Sequence, residues 1–437
     1  MSNSSKILQL DVLGSFDFYT TVIELGAIEP RHLARLNDIR RMSEGAAPTL
    51  DYFHAYDRVM PLVVHEYTHF VDATSTCWGL HHLSLLDNAY RATRAEKEDR
   101  YHHLKSLHDH MRALRLPAYY RLVGREIRPT REWAYQVTIG RRFTAKGHAH
   151  DAPPIALCTF RTVAGDLLAR SPVSILSLLE TSAMAQELQS RITFLAIVEG
   201  AEASIEGHLQ NEKALKYLYD HTITEYSVCA HLVANAQSCT DILAAYRLAG
   251  TLARFVLDFP AEGFRVAAAA PTLPTLFGVP ETDEYVQAVR QGLRTGDHGM
   301  LYYVLATALP AGSTVSSDAM RKAISQAAQS LGLNMHMLRA AALAEGAAKL
   351  AHLRTSPSRA LVALADAGKD NQARIPQFEI QLKLDTLHLP QVVLGDCASS
   401  CLLGAQDNLL RDMPADFYYD ELSNLEKRSE VFAEACI

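Results

Sequence analysis

The chain of 437 residues has no excess of positive charge and few cysteines, and each shortage excludes a class of protein. It carries 42 basic and 49 acidic residues, a formal net charge of −7, so no basic field favours nucleic acid or an anionic membrane surface. Its seven cysteines are odd in number and scattered, which does not suggest the disulfide framework of a small secreted domain. We therefore expect no nucleic-acid partner and a reducing compartment.

Long apolar runs are missing as well. No stretch of about 18 uncharged apolar residues occurs, so the sequence predicts no membrane-spanning helix and no membrane partner. Residues 1–6 lack the apolar run of a signal peptide, which together with the cysteine usage favours a cytoplasmic location. The phosphate-binding loop, the Rossmann glycine fingerprint and the nucleophile elbow of serine hydrolases are absent too. The chemistry of the chain must therefore come from another motif.

Hydrophobic periodicity predicts an α+β protein in which helices dominate. The composition, 48% hydrophobic and 21% charged, is that of an ordinary globular protein. We expect a core with a short sheet in residues 1–210 and a mainly helical C-terminal region in residues 211–437. The segments that alternate as strands do are residues 7–24 (two short strands), 133–142, 155–160 and 380–389.

One helix, predicted over about residues 59–73, carries the motif His65-Glu66-Tyr67-Thr68-His69. Positions i and i+4 lie on the same helix face, so His65 and His69 can offer imidazole nitrogens to one metal ion. Glu66 lies beside them, where it can accept a proton from water. The residues around this triplet are apolar, so the helix should be buried. Buried polar side chains cost free energy unless they have partners, which favours a metal site.

A second apolar helix carries the candidate third ligand, Glu180. The sequence predicts that this helix begins at Pro172 with Ser171 as its cap. A single carboxylate on such a helix must be paired, protonated or bound to a metal. Glu199 and His81 are alternative third ligands. The non-functional interpretation of Glu180 is a glutamate paired with Arg161, Arg170 or Arg191.

The motif resembles that of the zincin superfamily of metallopeptidases. Glu180, with Glu187 seven residues later, makes it similar to the gluzincin branch, in which two histidines and a distant glutamate bind zinc. The resemblance covers two helices. It departs from the thermolysin type at Met184, where that type has an aspartate behind the ligands, and from the metzincin form at Ser75, where that form has its third histidine.

The resemblance implies that His65, His69 and Glu180 bind Zn²⁺ and that Glu66 is the general base. It also implies a short sheet along the motif helix, whose edge strand pairs with an extended substrate. A donor that stabilises the oxyanion should follow the third ligand. The candidates for that donor are Tyr226, His208, His221 and His231.

Asp72, one turn after His69, either orients an imidazole as an outer partner or is a simple surface residue. The function expected from these residues is a zinc-dependent metallopeptidase acting on an intracellular protein or peptide. Two alternatives stay open. One is a non-catalytic helical interaction protein with a structural metal, in which the C-terminal region binds a partner protein. The other is a zinc hydrolase acting on a non-peptide amide.

Overall fold

The computed structural model describes residues 14–93, 100–124, 131–143, 148–149 and 153–436. Helices make up 62% of the structure and the sheets are small, so the prediction of a helix-dominated α+β fold is confirmed. None of the described helices combines the length and the apolar character needed to cross a membrane. The strand predicted before Gly14 lies outside the described residues.

Eight strands and eighteen helices occur in the described part of the chain. The strands are β1 (Ser15–Phe16), β2 (Ile23–Leu25), β3 (Leu122–Val123), β4 (Trp133–Arg141), β5 (Pro154–Thr162), β6 (Leu167–Pro172), β7 (Val392–Leu394) and β8 (Ser399–Ser400). The helices before residue 260 are α1 (Pro30–Met42), α2 (Leu50–Asp57), α3 (Met60–Ser75), α4 (Cys77–Thr93), α5 (His102–Leu114), α6 (Ile175–Leu195), α7 (Ala201–Leu218), α8 (Thr224–Ala236) and α9 (Ile242–Leu257). Those after it are α10 (Ala261–Ala269), α11 (Leu273–Phe277), α12 (Glu284–Arg294), α13 (His298–Ala308), α14 (Ser317–Ser330), α15 (Met335–Leu353), α16 (Arg359–Arg374), α17 (Ala415–Leu422) and α18 (Asn424–Ala435).

The chain forms two compact units, each built from separate segments. We call them the terminal unit (residues up to 110, 183–212 and 346–436) and the central unit (residues 111–182 and 213–345). These two units differ from the two regions expected from the sequence, because residues 1–210 and residues 211–437 each contribute to both units. One boundary falls inside α6, between Ser182 and Ala183.

In the terminal unit, a four-stranded sheet joins residues from both ends of the chain. Its order is β1-β2-β7-β8, with β2 parallel to β7 and the other pairs antiparallel. The motif helix α3 packs against this sheet through β1 and β2, and against α4 and α16. Because α3 is covered on several sides, nearly all of its residues after Pro61 are buried, as expected for a helix that is apolar around most of its circumference.

In the central unit, a second sheet has the order β3-β6-β5-β4, and all of its pairs are antiparallel. The predicted strands at residues 133–142 and 155–160 are confirmed as β4 and β5, which pair along their whole length. Helices α8, α12 and α13 pack against this sheet. Strand β6 leads into α6, the helix that carries Glu180.

The prediction that α6 begins at Pro172 is wrong. Ser171 and Pro172 belong to β6, and the helix begins three residues after Pro172, at Ile175. Ser174 precedes the helix, and its Oγ accepts a hydrogen bond from the backbone N–H of Ser177 at 3.3 Å. A serine at this position satisfies one of the N–H groups that lack a partner in the first turn. The sequence offered two serines ahead of the apolar run, and the later one is the cap.

The predicted strand at residues 380–389 is also wrong. Ile380, Leu382 and Leu389 are buried, so the alternation reflects real burial, but the segment pairs with no described strand. Side-chain amides form the hydrogen bonds with its backbone that a neighbouring strand would otherwise form. Gln186 bonds both the carbonyl of Ile380 and the N–H of Leu382, each at 2.8 Å. Asn371 and Asn408 bond backbone groups of the same segment in a similar way, so these buried polar groups are satisfied without a sheet.

Candidate metal centre

The motif helix brings the two histidines together as the spacing predicts. His65 Nε2 lies 3.1 Å from His69 Nε2, and the two residues are 4% and 2% exposed. Burial, and after it the neighbouring His65 ring, holds the pKa of His69 well below its usual value. His69 is therefore a neutral imidazole, the form that gives a lone pair to a metal.

Helix α6 adds a carboxylate to this pair. The ligand atoms of His65, His69 and Glu180 all lie within 4.8 Å of one another. Glu180 is 1% exposed, in a stretch of α6 whose neighbouring leucines are buried. Two imidazoles and a carboxylate are a donor set that suits zinc.

A second glutamate on α6 stands behind His65. Glu187 Oε2 lies 2.8 Å from His65 Nδ1, on the other side of the ring from His69. Arg191 donates to Glu187 Oε1 at 2.6 Å. Burial acts to raise the pKa of Glu187, but Arg191 and His65 outweigh it and hold that pKa below its usual value. The spacing of seven residues from Glu180 is the signal for Glu187 in the sequence, but that spacing does not predict the contact with His65.

Glu66, the expected general base, is 1% exposed. The strand β1 and the residue before it pass close to the motif. A Cβ atom added at Gly14 would lie 3.1 Å from Glu66 Oε1 and 3.0 Å from Leu62 Cδ1, so a side chain at this position would press on the carboxylate. The ring of Phe16 stacks over that of His69, with centroids 6.5 Å apart and an angle of 28° between the planes. No local pattern in the sequence predicts that Gly14 lies against the motif.

Asp72 is fully buried at 0% exposure, so its interpretation as a surface residue is wrong. Thr76 Oγ1 donates to the Asp72 carbonyl at 2.7 Å, which closes the end of the helix. The same kind of bond joins Thr68 Oγ1 to the Val64 carbonyl at 2.7 Å. The threonines of α3 are thus satisfied by the backbone one turn earlier. They contribute nothing to the group of ligands.

The alternative third ligands lie outside the group. Glu199 is exposed and follows the end of α6. His81 is exposed as well. Its neighbour His82 is fully buried, but its Nε2 bonds the Phe18 carbonyl at 2.8 Å. Among the arginines proposed as partners for Glu180, Arg191 pairs instead with Glu187.

The four candidates for the oxyanion donor differ in burial and in contacts. His231 is buried, its Nε2 bonds the Leu218 carbonyl at 2.8 Å, and its ring stacks on Trp133. These contacts give it a structural role. His208 is exposed on α7 and His221 is half-buried. Tyr226 is buried in α8. It follows Glu225, whose pKa is raised mainly by burial, against the lowering effect of Arg121, and to a smaller extent by the charge of Glu180.

No known protein family, curated protein or solved structure matches the chain. The functional assignment therefore depends on the chemistry of the residues described above.

Proposed function

We propose that the chain is a zinc-dependent metallopeptidase of the zincin type. His65, His69 and Glu180 would hold the metal, and Glu66 would be the general base. The observation that carries the proposal is the buried group of two imidazoles and a carboxylate within 4.8 Å, with a further buried carboxylate, Glu66, adjacent to His65. Three protein ligands would leave room for water or substrate on a bound zinc ion, as in catalytic sites.

A zinc ion held by His65, His69 and Glu180 would supply the chemistry of a Lewis acid, for a substrate carbonyl and for a water molecule near neutral pH. Glu66 accepts the proton of the attacking water and transfers it to the leaving amine. Burial of Glu66 excludes bulk water from that transfer. Burial, and after it the neighbouring His65, holds the pKa of His69 well below its usual value, which favours a neutral ring with a lone pair for the metal.

A peptide is the substrate class that the sheet of the terminal unit favours. Strand β1 lies at the edge of that sheet, and no described strand pairs with its outer side. The strand follows Gly14, which lies against Glu66, and it carries Phe16, which stacks over His69. An extended peptide that paired with this edge through main-chain hydrogen bonds would have its carbonyl groups close to the motif helix.

The second candidate is a structural metal site in a non-catalytic protein. The observation that favours it is the depth of burial, since none of His65, His69 and Glu180 is more than 4% exposed. A purely structural site does not need Glu66. The two functions therefore differ in what the loss of the Glu66 carboxylate does.

The test compares metal content and peptide cleavage in the wild type, Glu66→Gln and Glu180→Ala, with Glu199→Ala as the matched control. The proposal predicts that Glu66→Gln keeps zinc but loses cleavage by about 10²-fold or more. Glu180→Ala should lose both zinc and cleavage, and Glu199→Ala neither. Unchanged cleavage in Glu66→Gln overturns the catalytic role of Glu66. A zinc-containing wild type that cleaves no member of a random peptide library supports the structural site instead.

A further inference from the structure

A chain of charged side chains leads away from the candidate metal centre behind His65. Glu187 bridges His65 Nδ1, at 2.8 Å, and Arg191 Nη1, at 2.6 Å. Arg191 Nε in turn donates to Asp57 Oδ1 at 2.7 Å. Gln210 donates to the second oxygen of Asp57 at 3.3 Å. Every side chain of this series lies in the terminal unit, and the series joins α2, α3, α6 and α7.

The contact fixes which nitrogen of His65 carries its proton. An ionised carboxylate accepts hydrogen bonds and donates none, and the guanidinium of Arg191 stabilises the ionised form of Glu187. His65 must therefore donate from Nδ1. In a neutral ring the proton at Nδ1 leaves a lone pair on Nε2, and Nε2 is the atom that lies 3.1 Å from His69 Nε2.

Helix geometry explains why one helix can supply both carboxylates. Glu180 and Glu187 are seven residues apart, which is nearly two turns, so both lie on the same face of α6. Arg191 follows one turn later on that face. Glu180 thereby joins the ligand group, while Glu187 contacts the far side of a ligand of the same group.

We propose that Glu187 is a positioning residue for the metal: it holds the His65 ring with Nε2 toward His69 and Glu180, and Arg191 and Asp57 hold Glu187 in place. The inference rests on the proposed metal site. A carboxylate that receives the second N–H of a ligand histidine typically contributes 10-fold to 100-fold to metal affinity. A merely structural ion pair would contribute to the stability of the helices and leave the affinity unchanged.

The first experiment measures zinc affinity by competition with a chromophoric chelator. The variants are Glu187→Gln, Arg191→Gln and Asp57→Asn, and circular dichroism monitors their helix content. We expect Glu187→Gln to bind zinc about 10-fold to 100-fold more weakly, with smaller losses in Arg191→Gln and Asp57→Asn, whose side chains act through Glu187. If the wild type and Glu187→Gln bind zinc equally well, the role of Glu187 is overturned and the proposed metal site is not. A wild type that binds no zinc would overturn the proposed metal site as well.

The second experiment does not depend on metal. Nitrogen NMR of metal-free wild-type protein with labelled histidine reports the tautomer of each ring, and His65→Gln identifies the resonances of His65. The inference predicts a protonated Nδ1 and an unprotonated Nε2 on His65. The opposite tautomer would contradict it, whatever the outcome of the metal titration.

Discussion

Two buried histidine sites in the terminal unit differ in what surrounds the rings. At His82, Nε2 bonds the Phe18 carbonyl, Nδ1 lies 3.2 Å from His110 Nε2, and the ring is parallel to that of Trp78. At the candidate metal centre two imidazoles also face each other, but a carboxylate lies beside them. A backbone carbonyl and an aromatic stack make His82 a part of the core. Converging nitrogen and oxygen donors are what a cation needs, and burial alone does not distinguish the two sites.

Replacing one histidine at each site should produce the largest difference between the two sites, and zinc content is the quantity that changes. We expect His69→Gln to abolish stoichiometric zinc binding, because it removes one of three ligands. His82→Gln should keep one zinc per folded chain. Metal analysis after gel filtration measures both variants. Zinc binding that survives in His69→Gln but fails in His82→Gln would reverse the roles we assign to the two sites.

Removal of metal should change the stability of the wild type. Zinc at one hundred times its dissociation constant stabilises a folded protein that binds it by about 2.7 kcal/mol. We therefore expect a chelator to lower the unfolding temperature of the wild type and of His82→Gln, and to leave that of His69→Gln unchanged. Thermal unfolding followed by circular dichroism measures the shift. An equal shift in His69→Gln would show that the metal binds elsewhere.

The titration of His82 should make the free energy of unfolding depend on pH. Burial lowers the pKa of His82 from 6.5 to about 4, against the opposing hydrogen bond to Phe18 and with a smaller lowering from His81. The folded pKa lies below the unfolded one, so the unfolded state takes up the proton first. The contribution of the neutral His82 ring to the free energy of unfolding is therefore fully present above pH 6.5, and it is lost as the pH falls toward 4. Between pH 7 and 5 this loss amounts to about 2 kcal/mol.

Urea unfolding at the two pH values measures that loss. The His82→Gln variant should lose less stability between pH 7 and 5 than the wild type does, because glutamine does not titrate. An identical loss in both proteins would contradict the assignment of a neutral, buried His82.

The smallest expected effect concerns Gly14. The Cβ of Gly14→Ala would meet Leu62 and Glu66 at 3.0 and 3.1 Å, so the Glu66 carboxylate must shift by a few tenths of an ångström. We expect peptide cleavage to fall by less than about tenfold, with zinc affinity unchanged, since the displaced carboxylate is not a ligand. A parallel loss of zinc in Gly14→Ala would show that the strand positions the ligands and not the base.

The local features of the site were predictable and the distant ones were not. The pair His65 and His69 follows from helix geometry, and a lone carboxylate in an apolar helix identified Glu180. The contact of Glu187 with His65 joins residues 122 positions apart, and no local pattern sets which ring a glutamate will reach. For the same reason the approach of Gly14 to Glu66 became visible only in the structure.

In the fold, too, the local features were predictable from the sequence and the distant ones were not. Helix α3 and strands β4 and β5 follow from periodicity within short segments. The pairing of β2 with β7 joins residues 23–25 to 392–394 and depends on the packing of the whole terminal unit. The segment at residues 380–389 shows the limit of alternation, because amide side chains distant in sequence satisfy its backbone. The cytoplasmic location and the role of the C-terminal region stay predictions.

X-ray absorption at the zinc edge, on protein purified without added metal and then loaded with one equivalent of zinc, tests the central claim most directly. We predict nitrogen and oxygen neighbours of the zinc ion at about 2.0–2.2 Å, with the scattering pattern of two imidazoles. The Glu180→Ala variant should lose this spectrum. Sulfur neighbours at about 2.3 Å, or an unchanged spectrum in Glu180→Ala, would contradict a zinc site formed by His65, His69 and Glu180.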